Sequence, residues 1–164
     1  MSFTSFRCLI LACGNTLRGD DGVGPWLAEW AEKRFSTEAG LRVVARQQWT
    51  PELAEEIAGA ESVLFIDSSV NCPAGAVKLF SVAAATGERG LECGLASHHV
   101  GASELLALGR DLYDSTPPSA QLLTVGADST ELGEEFSASV KAALPEACRL
   151  LEDTILRLLL RKAG

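Results

Sequence analysis

Basic residues are scarce in this sequence: 14 lysines and arginines stand against 22 aspartates and glutamates, a formal net charge of −8. A nucleic-acid partner needs a clustered basic surface, so the composition argues against one. Apolar runs are short, and none approaches the ~20 residues that cross a bilayer, so no membrane span is expected. The five cysteines, Cys8, Cys13, Cys72, Cys93 and Cys148, are odd in number and include no CxxC pair. They signal neither a zinc ribbon nor a disulfide framework, and they suit a reducing cytoplasm. The N-terminal MSFTSFRCLILAC has no processing site and reads as a buried strand rather than a signal peptide. Three nucleotide and hydrolase signatures are missing as well. GNTLRGDDGVG is neither GxGxxG nor GxxxxGK[ST], and no GxSxG occurs. Asp20 and Asp21 would also repel a pyrophosphate at the helix N-terminus that ought to attract it.

What is present fits a single α/β domain over residues 1–164, 47% hydrophobic and large enough to bury a core. Arg7 to Cys13 is a continuous apolar run, the pattern of a strand buried on both faces. A loop and then a helix from Asp21 to about Phe35 follow, with Val23, Leu27, Trp30 and Ala31 on one face. Leu41 to Arg46 is a second strand. Thr50-Pro51-Glu52 is a helix start, with a capping hydroxyl and proline at the first helical position. The helix it opens reaches about Ala58. Ser62 to Ile66 is a third strand that stops at Asp67, and DSSVNCPAG is loop. Ala76 to Val82 is a fourth strand. It comes too soon after the third for a crossover helix, so it is expected to run antiparallel to it.

A glycine-rich loop, ATGERGLECGLAS, leads to His98-His99, the two histidines of the chain. Ser103 to Leu112 is a helix, Gln121 to Val125 a fifth strand, and Ser137 to about Arg161 a long helix with a break expected near Pro145. The order predicts a three-layer α/β/α sandwich around a five-stranded, mostly parallel mixed sheet with one antiparallel strand.

In such a sheet, polar groups at the carboxyl ends of the strands form the site. Asp20-Asp21 follow the first strand and Asp67 the third, and these two strands are neighbours in a doubly wound sheet. Thr50 to Glu52 after the second strand and His98-His99 complete the candidates. Two carboxylates and an imidazole can hold a divalent metal such as zinc or nickel, form an acid/base set, or share a proton between the acids. Each also has a plain structural reading. Asp20 fits a helix cap, Asp67 an Asx turn, and the histidine pair a solvated loop. Cys13 or Cys72 beside His98 is a possible nucleophile, although Cys13 at a strand end fits the core better. Trp26, Trp30 and Trp49 are core or docking surface, and rings of that size are more often buried.

GNTLRGDDGVG resembles the GNxLxxD[DE]GxG signature of the hydrogenase maturation endopeptidases. FIDSSV, SHHVGASELL, the TPE helix start and the C-terminal half from LYDSTPP through LLTVG to the last helix are similar to that family in the same order. The resemblance implies a cytoplasmic endopeptidase that acts on the precursor of a nickel-containing hydrogenase large subunit; a monomer is the default expectation for a chain of this size. It would remove a C-terminal extension after nickel insertion. It also implies a catalytic, metal-contacting triplet of Asp21, Asp67 and His98. His98 is chosen over His99 by its spacing to Gly101. The nickel would be supplied by the substrate, with another divalent ion as the alternative occupant. Gln47-Gln48-Trp49-Thr50 stands where some members carry a Gly-Gly-Thr loop. Two other readings are a non-catalytic, nickel-recognising assembly chaperone of the same fold and a general metallo-aminopeptidase-like hydrolase.

Overall fold

A computed structural model describes residues 5–85, 101–117 and 119–161. Strands β1 (Cys8–Cys13), β2 (Leu41–Arg46), β3 (Ser62–Ser69), β4 (Val77–Ser81) and β5 (Ser119–Gly126) form one sheet in the order β2-β1-β3-β5-β4. All neighbours are parallel except β4, which runs antiparallel to β5. Helices α1 (Val23–Arg34) and α4 (Ala138–Leu160) cover one face of the sheet, and α2 (Leu53–Ala58) and α3 (Ala102–Tyr113) the other. The expected three layers and mixed sheet are therefore present.

Strand alternation builds two cores. Ile10, Leu64, Ile66 and Leu123 meet Leu27 of α1 and Leu151 and Ile155 of α4 on one face. Leu9, Leu11, Phe65 and Leu122 meet Ile57 of α2 and Leu105 of α3 on the other. Every residue of β1 is buried, which accounts for its unbroken apolar sequence. Each fully buried leucine or isoleucine contributes ~1.5–3 kcal/mol.

Three expectations need correction, and the one for β4 holds in direction without direct pairing to β3. β3 does not stop at Ile66. Asp67, Ser68 and Ser69 continue in register opposite Thr124, Val125 and Gly126 of β5. The partner strand β5, as long as β3, supplies backbone hydrogen bonds that outweigh the local turn preference of Asp-Ser-Ser. β4 does run opposite in direction to β3, but β5 lies between them. The 70–76 connection crosses the end of β5 at Gly126, where a Cβ would lie 1.8 Å from the Pro73 carbonyl oxygen. Helix α4 passes through Pro145 without a break. Pro145 and Lys141, whose carbonyl loses its helical donor, both lie on the exposed side, while Ala143, Ala147 and Leu151 stay buried on the other. Finally, α2 starts at Leu53 and Thr50 does not cap it with its hydroxyl. Its carbonyl accepts from Leu53 N at 3.0 Å instead, closing a turn before the helix.

Candidate functional site

The segment between β1 and α1 is a short 3-10 turn, Gly19–Gly22, rather than the first turn of an α-helix. Glycine is required along it for space. A Cβ on Gly14 would lie 1.9 Å from the Asp21 carbonyl oxygen, and one on Gly24 would lie 2.4 Å from that of Cys13. The turn is thus pressed onto the carboxyl end of β1, and Asp21 is delivered beside the end of β3.

The two aspartates of this turn have different tasks. Asp20 is fully buried. Its Oδ2 accepts from the backbone N–H of Asp128 at 2.8 Å and Ser129 at 3.1 Å, and its Oδ1 from that of Ser137 at 2.7 Å. Burial raises its pKa, but these hydrogen bonds outweigh it and hold the carboxyl below the usual range. The capping role expected of Asp20 is real in kind but not in place. It serves the 128–137 segment leading to α4 and not the adjacent helix, whose N-terminus has no side-chain cap.

Asp21 faces Asp67. Its Oδ2 accepts from Asn15 N at 2.7 Å and its Oδ1 from the Ser68 hydroxyl at 2.9 Å. Ser68 also donates its backbone N–H to Asp67 Oδ1 at 2.8 Å. One serine therefore links the two carboxylates, drawing together residues 46 positions apart. Burial, and then the negative charge of Asp21, push the Asp67 carboxyl up to about 7. Near neutral pH such a group both takes and gives a proton, which an ordinary aspartate does not.

Cys13, at the end of β1, is buried and donates to the Gln47 carbonyl at 3.4 Å. Burial first, then Asp67, with Asp21 a smaller cause, push this thiol up to about 12. It is a core residue and not a nucleophile. Cys72 is disulfide-bonded, which removes it as a nucleophile. Spacing along the chain does not report which thiols meet in space. Trp49 is buried edge-to-face against Phe65, with centroids 5.2 Å apart, whereas Trp26 is partly exposed beside Phe136.

His98 and His99 lie outside the described residues. Among those described, no group of three or more His, Cys, Asp or Glu side chains is arranged to hold a metal ion. Asp21 and Asp67 put two carboxylates near the carboxyl ends of β1 and β3; oxygen donors alone suit a hard cation, and a borderline one such as nickel would call for an imidazole besides. Among the described residues, no helix is long and apolar enough to cross a membrane. Sequence reasoning passed over Ser68 and treated it as turn. Its position directly after the strand-borne Asp67 was the available signal.

Comparison with known proteins gives structures but no sequence families: neither a family model nor a curated protein matches the chain. The hydrogenase maturating endopeptidase HybD from E. coli is similar in fold, with a TM-score of 0.74 and 17% identity over 93% of each chain. The [NiFe] hydrogenase maturation protease HycI from Thermococcus kodakarensis is likewise similar in fold. Its TM-score is 0.69 and its identity 22%, over 96% of this chain and 94% of that one. The [NiFe] hydrogenase maturation protease HybD from Thermococcus kodakarensis is similar in sequence as well. It has 29% identity over 91% of this chain and 99% of its own, with a TM-score of 0.65. The likeness that the motifs carry thus extends to the whole fold.

Proposed function

We infer that this chain is a peptidase of the hydrogenase maturation type, an endopeptidase that removes the C-terminal extension of a nickel-loaded hydrogenase large-subunit precursor. The observation that carries the reading is the Asp21–Ser68–Asp67 linkage, two carboxylates joined through one serine at the ends of β1 and β3. It joins two of the segments that resemble the family, GNTLRGDDGVG and FIDSSV, on a fold similar to maturation proteases.

In this reading the nickel belongs to the substrate. Asp21 and Asp67 engage it, with His98 as the third contact by resemblance, so only a loaded precursor is held with its scissile bond at the site. Differential affinity for loaded and unloaded substrate makes the step a checkpoint. With no cation at the site, burial and the Asp21 charge push the Asp67 carboxyl up to about 7, and a bound divalent cation would draw it back to the ionised form that accepts a proton. Ser68 N occupies Oδ1, so Oδ2 takes the proton of the attacking water as the new C–O bond forms. The same proton passes to the leaving amide nitrogen as the C–N bond breaks. Asp21 and the substrate's metal stabilise the charge developing on the carbonyl oxygen and on the water. The location consistent with this activity is the cytoplasm.

The test is intact-mass analysis of the large-subunit precursor, nickel-loaded and nickel-free, before and after incubation with the protein. Loss of a C-terminal peptide from the loaded form alone is expected. Asp21→Asn should abolish processing by at least ~100-fold while the circular dichroism spectrum stays that of the parent. A stable complex with no mass change would favour the chaperone reading, and normal cleavage by Asp21→Asn would remove the assignment of that residue.

A further inference from the structure

Thr124 lies near the carboxyl end of β5 and is fully buried, and its Oγ1 has no hydrogen-bond partner among the described residues. A buried hydroxyl without a partner is a net cost to folding, and valine has the same shape without that cost. The flanking residues of β5 are Leu123 and Val125, so an apolar side chain would suit this strand. The position of Thr124 gives the hydroxyl a use. In the parallel β3–β5 ladder its Cα partner is Asp67. Register partners in adjacent strands point to the same face with Cα atoms about 5 Å apart. The orphan donor therefore stands beside the carboxyl whose recorded backbone hydrogen bond, from Ser68 N, is on Oδ1.

We propose that Thr124 is a positioning residue for Asp67: rotation about its side-chain bond lets the Oγ1 hydroxyl donate to the Asp67 carboxylate when that group engages substrate, fixing the orientation of the oxygen that handles the proton. This rests on the proposed endopeptidase function. Ser68 holds the carboxylate from its own backbone, and Thr124 holds it from the neighbouring strand. Two donors on two strands leave a carboxylate little freedom to swing, which is the preorganisation a positioned base needs.

The experiment compares Thr124→Val, Thr124→Ser and Asp67→Asn with the parent protein, using nickel-loaded precursor and intact mass for kcat and KM, with thermal melts of each variant. Thr124→Val should melt at the parent temperature or a few degrees above, because an unpaired buried hydroxyl is gone. Its kcat should fall about 10- to 100-fold with KM changed less than about twofold. Thr124→Ser keeps the donor and should stay within about threefold of the parent kcat. A threonine with no part in catalysis would leave the kcat of the valine variant unchanged, and that result overturns the proposal. So does a serine variant as slow as the valine one, which would assign the effect to the methyl group. Asp67→Asn separates the two levels. If it is inactive while Thr124→Val is fast, only this inference falls. If it cleaves normally, the reading of the site falls with it.

Discussion

A carboxyl group that is half neutral near pH 7 reverses the usual acid dependence of stability. Asp67 is raised from 3.8 to about 7 in the folded protein. Between pH ~4 and ~7 the unfolded chain has lost this proton and the folded one keeps it, so the native state binds more protons. The contribution of Asp67 to stability is therefore complete below pH ~4, declines as pH rises through ~7, and is constant above that. At about 1.4 kcal/mol per unit, the cost at pH 8 is up to ~4 kcal/mol. Asp67→Asn should remove it. Urea unfolding at pH 8 should show the variant more stable than the parent by ~1–4 kcal/mol, with the difference shrinking toward pH 4.5. Equal stability at both pH values would mean that Asp67 is not raised. A site residue that weakens its own fold is expected where proton chemistry is performed.

At the scale of elements, the turn between β1 and α1 is held from two sides. Glycines let it press against β1, and Asp20 ties it to the segment entering α4. Asp20→Ala would leave the N–H groups of Asp128, Ser129 and Ser137 without their acceptor. The expected loss is about 3–5 kcal/mol in denaturant, together with faster hydrogen exchange at those three amides. Because the Asp20 carboxyl is held low, the same stabilisation exists above the ordinary aspartate pKa and fades in the parent only under stronger acid. Unchanged exchange at the three amides would show that the segment does not depend on Asp20. The segment and the turn also pair through backbone, Gly19 N to Gly133 O at 2.7 Å and Gly133 N to Leu17 O at 2.8 Å. Motion of one is thereby linked to the other and to the neighbouring Asp21.

The sheet separates two apolar cores that, among the described residues, share no side chain. Ile155 on α4 and Ile57 on α2 are both fully buried, one in each. Ile155→Val and Ile57→Val should each cost about 0.5–1.5 kcal/mol, and the double variant their sum within about 0.5 kcal/mol. A larger discrepancy in urea titrations would mean that the sheet transmits packing strain from face to face. The exposed ion pairs, such as Lys33–Glu29 and Arg149–Asp153, are worth little individually and do not decide the fold.

The element pattern was legible in the sequence because its causes are local. An unbroken apolar run makes β1, helical spacing makes α1, and glycine clusters mark the loops between them. The pairing of Asp21 with Asp67 was legible too, since a doubly wound order makes β1 and β3 neighbours. The tertiary structure alone decided what depends on distant partners. β5 is long enough to carry β3 past Asp67, and it stands between β3 and β4. Asp20 finds its donors more than a hundred residues away. Ser68 joins the two carboxylates, and Thr124 comes beside Asp67 only through the ladder register. Sequence reports the propensity of each segment. Hydrogen-bond partners and desolvation arise only when separate segments close on one another, and these raise Asp67, hold down Asp20 and leave the Thr124 hydroxyl unpaired.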